Sequence, residues 1–305
     1  MKKIFLFCLM FGLAGFVLAQ EEAVFSHYTI NPTLVNPATA GMDRDNHHIF
    51  LNLRSGWTGF PGSPKTYSLN YNGAVGNMLG LGAMLYSENI AALTRYRAQL
   101  SYAIHIESGD YKFGGGVSTE IHRTRVSDNS VTDNPTLYEL GDDLLMEATD
   151  GFSEFDASLG FYTRYQDQLY FGVSFPNLVR SRLDNIEGLD SQFNFIAGLG
   201  GEFQIPNNKI KIQPSILIRQ ARNAPLFTDL NMLVSFLNEQ LITGLTYRIG
   251  GGGNLGFNVG TKYNSIRFLY TYEIFLDEFQ NYNGGTHEIS INFLIERTQK
   301  DPGKR

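Results

Sequence analysis

Ser265 to Asp277 reads "SIRFLYTYEIFLD", and its alternation decides the fold. Ile266, Phe268, Tyr270, Tyr272, Ile274 and Leu276 share one parity, whereas Arg267, Thr271 and Glu273 fall on the other. A strand points successive side chains to opposite faces, so this stretch predicts one apolar, aromatic face and one largely polar face. "RYRAQLSYAIHI" repeats the pattern, with Tyr96, Ala98, Leu100, Tyr102, Ile104 and Ile106 against Arg95, Arg97, Gln99, Ser101 and His105. "THEISINFLIE" does so again, with Ile289, Ile291, Phe293 and Ile295 against Glu288, Ser290, Asn292 and Glu296.

These runs last about 10 to 13 residues, near the roughly 9 to 11 that a tilted strand needs to cross a bilayer. Soluble strands more often stop at about 5 or 6. A membrane barrel turns the apolar face to lipid and the polar face to its lumen, which here would hold Arg95, Arg97, Lys112, Glu120, Arg267 and Glu273. The solvent face of a soluble sandwich would look the same, so the connections have to decide. From "HHIFLNLRS" onward about fourteen strand-like segments can be laid out, joined alternately by tight turns ("ESGD", "YQDQ", "PNN", "LNEQ", "YNS") and longer links ("GWTGFPGSP", "SENIAAL", Thr124 to Gly151, Pro176 to Asp190, "DEFQNYNGG"). Short turns on one side and long loops on the other predict an all-β, transmembrane antiparallel up-and-down β-barrel, periplasm below and exterior above. The short link at Gly250 to Asn254 departs from this scheme. Aromatics near segment ends, among them Tyr67, Tyr71, Tyr162, Tyr165, Tyr170, Phe171, Phe268 and Tyr270, are expected to form interfacial girdles.

Composition agrees. The chain has 32 Gly, 16 Tyr and 23 Phe, and only 18% charged residues, against roughly 25% for soluble domains. Residues 1–19, "MKKIFLFCLMFGLAGFVLA", have the order of a secretory signal peptide. Removing them takes away two Lys and no acid, so the formal charge goes from -6 to -8, and no basic stripe is left for a nucleic acid. Cys8, the one cysteine, leaves with them, so no thiol remains for a disulfide, a metal or nucleophilic chemistry. The expected organisation is signal peptide 1–19, an N-terminal periplasmic or lumenal segment 20–46, the barrel 47–297 and a periplasmic tail 298–305.

Chemistry-bearing patterns are weak. "GGGNLG" has the dinucleotide spacing Gly251, Gly253, Gly256, but a strand-like run follows where a helix is required. His47 and His48 are adjacent and would face opposite sides of a strand, which argues against a shared metal. Ser101 or Ser118 with His105 or His122 is the pairing a membrane hydrolase would need, and no spacing singles one out. No catalytic, cofactor or metal residue is assigned. In the acidic loop "ELGDDLLMEATD" the EF-hand spacing is absent, and Leu144, Leu145 and Met146 are candidate exterior contacts.

"FSHYTINPTLVNPATAG", Phe25 to Gly41, carries two Asn-Pro steps. Each Pro fixes its φ and lacks a donor, so the segment can neither continue a helix nor join a ladder centrally. On its residues alone it reads as a linker; placed before a barrel it is expected to form an ordered cap at the periplasmic mouth or to tuck into the lumen. Together with "HHIFLNLRSGWTGFPGSPKTYSLNYNG" and the closing "THEISINFLI", the segment resembles the PorP/SprF family of Bacteroidetes outer-membrane proteins. The matching residues are Asn31, Pro32, Asn36, Pro37, Ala38, Ala40, Gly41, Arg54, Trp57, Thr58, Gly59, Phe60, Pro64, Lys65, Thr66, His287, Glu288 and Ile289. His27 departs from the pattern, which often has Gln there. The resemblance implies a non-enzymatic barrel in or beside the type IX secretion system. Its implied partners are outer-membrane lipid, periplasmic secretion components and a secreted surface adhesin or other sorted cargo. The signature residues and the exterior loops are the candidate contacts. A channel for a small solute is the alternative, and an enzyme comes third.

Overall fold

A computed structural model describes residues 25–59, 61–127, 149–179, 194–205, 209–221 and 224–297. The strands are β1 Asn46–Ser55, β2 Lys65–Val75, β3 Leu79–Ile90, β4 Leu93–Ser108, β5 Tyr111–Val126, β6 Phe152–Tyr165, β7 Leu169–Phe175, β8 Phe195–Gly201, β9 Phe203–Ile205, β10 Ile210–Gln220, β11 Phe227–Phe236, β12 Leu241–Ile249, β13 Asn254–Tyr263, β14 Ile266–Phe275 and β15 Thr286–Glu296. Apart from the step from β8 to β9, each pairs antiparallel with its neighbour in sequence, and β15 returns to β1 in the register Asn46↔Glu296 to Ser55↔His287. β8 and β9, interrupted at Glu202, lie one after the other along β10. The described segments thus close a barrel of fourteen strands, which removes every sheet edge, as a spanning sheet in hydrocarbon must.

Side-chain parity sets the two faces. Leu51, Leu69, Leu85, Leu100, Ile104, Phe161, Leu199, Leu245 and Phe257 point outward and are exposed. Asn52, Asn70, Glu120, Asp229, Thr271, Glu273, Glu288 and Asn292 point inward and are buried. The exposed band is apolar because lipid solvates it, and the lumen is polar, as the alternation predicted. Tight turns join β2 to β3, β4 to β5, β6 to β7, β11 to β12 and β13 to β14 on one side.

Two readings are corrected. "SENIAAL" is no long loop: Ile90 pairs with Leu93, so Ala91 and Ala92 alone make the turn, with Ala91 at φ 50°. Its polar residues mimic a loop, but Glu88 is a lumenal side chain with no exposure. Tyr162 and Tyr170 are not girdle residues; they share the inward parity of Gly160 and Gly172 and stack at 5.9 Å inside the barrel. Tyr67, Tyr71 and Phe171 are exposed on the outer face. The N-terminal segment, expected as a cap at the periplasmic mouth or tucked into the lumen, takes the lumenal place.

Outward parity has a direct consequence. Leu245→Arg, at the middle of β12, is expected to destabilise the barrel in lipid vesicles by about 2–4 kcal/mol, measured by denaturant unfolding against Leu245→Ala; a loss below about 1 kcal/mol for Arg relative to Ala would contradict the assigned face.

Candidate functional site: a plugged lumen

Phe25 to Gly41 runs through the barrel interior. The two Asn-Pro steps are the starts of 3-10 turns, Pro32–Leu34 and Pro37–Thr39, with Pro at the first position where its missing N–H costs nothing. Asn36 caps the second turn by accepting from the Ala38 N–H at 2.9 Å, and Thr39 Oγ1 donates to the Asn36 carbonyl at 2.7 Å. The Asn36 amide also donates to the Phe161 carbonyl at 2.9 Å and more weakly to Val173 at 3.4 Å, tying the turn to β6 and β7. A Pro-rich stretch unable to join a ladder is thereby held by its capping side chain.

The wall is shaped to receive it. A Cβ on Gly160 would lie 2.1 Å from Asn36 Oδ1, on Gly116 2.6 Å from Ala38 Cα, and on Gly80 1.8 Å from the Ala40 carbonyl oxygen. Glycines at inward positions of β3, β5 and β6 let backbone approach backbone. Gly41 turns the chain at φ 66° towards β1, and its N–H donates to Asn72 Oδ1. Below it, Asp43 accepts from His48 Nε2 at 2.8 Å and from the Asn46 N–H at 3.1 Å. Burial by itself would raise the Asp43 carboxyl, but these donors outweigh it and hold the group well below the usual carboxylate range.

The other end of the segment is fixed by charge. Arg54 on β1 bonds Glu273 on β14 at 2.8 Å and Glu288 on β15 at 2.7 Å. Its guanidinium carries one charge against two, and the segment supplies donors for the remainder. The N–H groups of Ser26 and His27 donate to Glu288 at 2.9 and 3.2 Å, the Ser26 hydroxyl donates to Glu273, and Asn52 Nδ2 donates to Glu288 at 2.9 Å. A buried carboxylate needs this saturation, because stripping it of water is otherwise costly.

His27 begins a directed chain. Its Nε2 faces Thr271 Oγ1 at 2.7 Å and its Nδ1 faces Ser290 Oγ at 2.7 Å. Thr271 donates onward to Asn258 Oδ1, so it accepts from His27 Nε2–H, and Nδ1 accepts from Ser290. Asn258 Nδ2 donates to Thr246 at 3.1 Å, Thr246 donates to Asn231 at 2.5 Å, and Asn231 Nδ2 donates to the Tyr28 hydroxyl at 2.7 Å. The chain leaves His27, crosses β14, β13, β12 and β11, and returns to the next residue of the plug. Beside it Arg248 pairs with Asp229 at 2.6 and 2.9 Å. Burial, the largest influence, lowers the His27 pKa below its ordinary 6.5 against the opposing pull of Glu288.

The sequence candidates fall into separate places. Asn31, Pro32, Asn36, Pro37 and Gly41 belong to the plug, and Asn31 accepts from Thr33 Oγ1 at 2.6 Å. Arg54 is its anchor. Trp57 and Gly59 lie in the β1–β2 loop, with Trp57 at φ 50°. That loop is strapped to the β14–β15 loop by Thr58 N–H to Gly285 O at 2.8 Å and Gly284 N–H to Thr58 O at 2.6 Å, and Gly56 N–H donates to Pro64 O at 2.8 Å. Thr66 is fully buried on β2, and Lys65 beside it is exposed. Phe60, Leu144, Leu145 and Met146, together with residues 1–19 and 298–305, lie outside the described residues. Ser118 and His122 bind opposite oxygens of Glu120 at 2.8 and 3.2 Å, with no Ser–His bond between them. His105 donates from Nε2 to the Ala38 carbonyl at 2.9 Å, since Arg44 occupies Nδ1 at 2.9 Å. Gly251 to Gly253, all at positive φ, make the β12–β13 turn, and a strand follows.

Residues 17–293 match the family model for type IX secretion system membrane protein PorP/SprF. The chain belongs to that family. No curated protein matches it. Among solved structures, the PorP/SprF chain is similar to the monoaromatic hydrocarbon channel CymD (TM-score 0.54, 10% identity, covering 92% of this chain and 95% of that one). It is also similar to the toluene transporters TodX of P. putida (0.52, 11%, 88% and 95%) and TbuX of Ralstonia pickettii (0.51, 10%, 87% and 92%). These likenesses show an outer-membrane barrel fold.

Two outcomes test the lumenal network. Arg54→Ala strands two buried carboxylates and is expected to cost about 3–5 kcal/mol in barrel unfolding; an effect near zero would contradict the pairing. For His27 the folded state binds a proton less readily than the unfolded chain, so its contribution is complete above 6.5 and erodes as pH falls below it. Labelling of a Ser26→Cys thiol should therefore rise from neutral to mildly acidic pH relative to a surface cysteine. His27→Gln should abolish that rise; a rise unchanged by the substitution would overturn the assignment.

Proposed function

We propose that this PorP/SprF barrel is a non-conducting, non-enzymatic anchor that supports secretion or surface attachment of a partner of the type IX system, such as a gliding adhesin with a type B sorting domain. The observation that carries the reading is the filled lumen: a segment of the chain's own N-terminal region occupies the space a solute would need, held by Arg54, Glu273, Glu288 and the backbone of Ser26 and His27. In this reading the exterior loops meet the cargo, and the tight turns with the Gly41–Asn46 junction meet periplasmic components.

A solute channel is the second reading. Two cavities flank the plug and share Val35, Asn36, Ser174, Ile196 and Leu217 along the β7–β10 wall, and the fold is that of hydrocarbon channels and toluene transporters. Passage would require the plug to shift there.

Planar-bilayer recordings separate the two. The intact protein should give no large, stable single-channel currents, whereas deletion of residues 25–41 should open them. Large currents from the intact protein would sink the anchor reading. In cells, deleting the gene should abolish surface display of the adhesin, and normal display would do the same.

A further inference from the structure

The segment in the lumen has a direction. Its C-terminal end lies on the side of the tight turns, where the Gly41 N–H donates to Asn72 Oδ1 and Arg44 donates to the carbonyl of Leu79, the first residue of β3, at 3.0 Å. Its N-terminal end lies on the opposite side. Ser26 and His27 donate to Glu288, and the Ser26 hydroxyl donates to Glu273; each carboxylate stands two residues from the exterior end of its strand. Arg54, one residue from the end of β1, completes this clasp. Phe25 packs edge-on against Tyr86 at 6.0 Å and is 7% exposed. The open space it borders is a cavity of about 400 Å³ that runs past Tyr96, Phe152, Asn177 and Gln220, at the exterior ends of β4, β6, β7 and β10. Along the plug, the lining of the periplasmic-side cavity starts only at Tyr28.

The clasp also sits on the barrel's seam. β1 and β15 are the first and last strands, and Arg54 on one bonds Glu288 on the other across their junction. A segment held there is enclosed as the seam closes and needs no threading through a finished lumen. We propose that the chain preceding Phe25 leaves the lumen on the exterior side, so that the processed N-terminus is presented at the cell surface. With residues 1–19 removed, as the sequence predicts, the outward stub is Gln20 to Val24, "QEEAV". Extended, it reaches about 17 Å from Phe25, further than the two strand residues between the clasp and the exterior ends. The stub is a contact surface that a partner outside the cell reaches without entering the barrel, and a contact there acts directly on Ser26 and its carboxylates. Asp43 to Asn46 is the periplasmic end of the same stretch, so the plug joins both sides of the membrane through the lumen. This placement follows from the plug's direction and holds whether the barrel anchors or conducts.

Single-cysteine labelling in cells tests it. Cys8 lies within residues 1–19, so the processed parent offers no thiol and sets the background. The reagent is a maleimide on a polyethylene glycol chain too large for outer-membrane pores. Ala23→Cys should be labelled in intact cells to the extent of Tyr282→Cys, which is exposed between β14 and β15 on the exterior side. Asp45→Cys, exposed at the periplasmic junction, should stay unlabelled until the outer membrane is permeabilised. Heat-modifiable migration checks that each variant folds, and Glu22→Cys replaces Ala23→Cys where the latter does not. Labelling of the stub cysteine confined to permeabilised cells would put the N-terminus in the periplasm and overturn the proposal. Labelling only after the barrel is denatured would do the same, because the stub would then end inside the lumen.

Discussion

The structure turns on the burial of two carboxylates. Glu273 and Glu288 stand on adjacent strands inside the barrel, both with almost no exposure. Arg54, one strand further round, bonds both. One cation cannot complete two anions, and the remaining lone pairs must find donors in a space closed to bulk water. Ser26 and His27 provide them, so the N-terminal segment is part of the electrostatic solution. From that fixed point the chain has room to run only across the lumen and down to β1. The Asn-Pro turns, the glycines opposite them and the turn at Gly41 follow from that route.

Much of this was legible in sequence. Alternation over residues 95–106, 266–276 and 286–296 gave both faces, because lipid on one side and a polar lumen on the other impose a period of two. The count of about fourteen follows from the strand-like segments, and the alternation of short turns with longer links decides for a closed membrane barrel. The errors came where parity was ignored. "SENIAAL" looked like a loop because Glu88 and Asn89 are polar, yet Glu88 lies at an inward position where a charge belongs. Tyr162 and Tyr170 look like girdle residues by type, although both sit in step with Gly160 and Gly172, which face the plug.

The plug's site was the least legible part. The Asn-Pro steps stand out in the sequence itself and Arg54 through the family likeness, whereas His27 figures there only as a departure from the pattern. A single histidine carries no sequence signal for the hydroxyls of Thr271 and Ser290, which lie more than 240 positions away along the chain. One signal was available. Gly80, Gly82, Gly114, Gly116, Gly160 and Gly172 all hold inward parity, and a run of missing side chains facing a lumen marks a place where another backbone sits. Family membership then adds context that geometry alone lacks: an outer-membrane barrel, its lumen occupied by its own N-terminal segment, in a family of type IX secretion system membrane proteins.

The central claim is that Phe25 to Gly41 is a seated structural element of the folded barrel. Peptide-resolved amide hydrogen exchange on the full protein in lipid nanodiscs measures this directly. Amides of His27, Ala38 and Ala40, buried in the lumen, should exchange on the slow timescale of the β14 and β15 amides, and Arg54→Ala should release them while the strands stay protected. Exchange of residues 25–41 at the rate of an unstructured peptide in the intact protein would contradict the account.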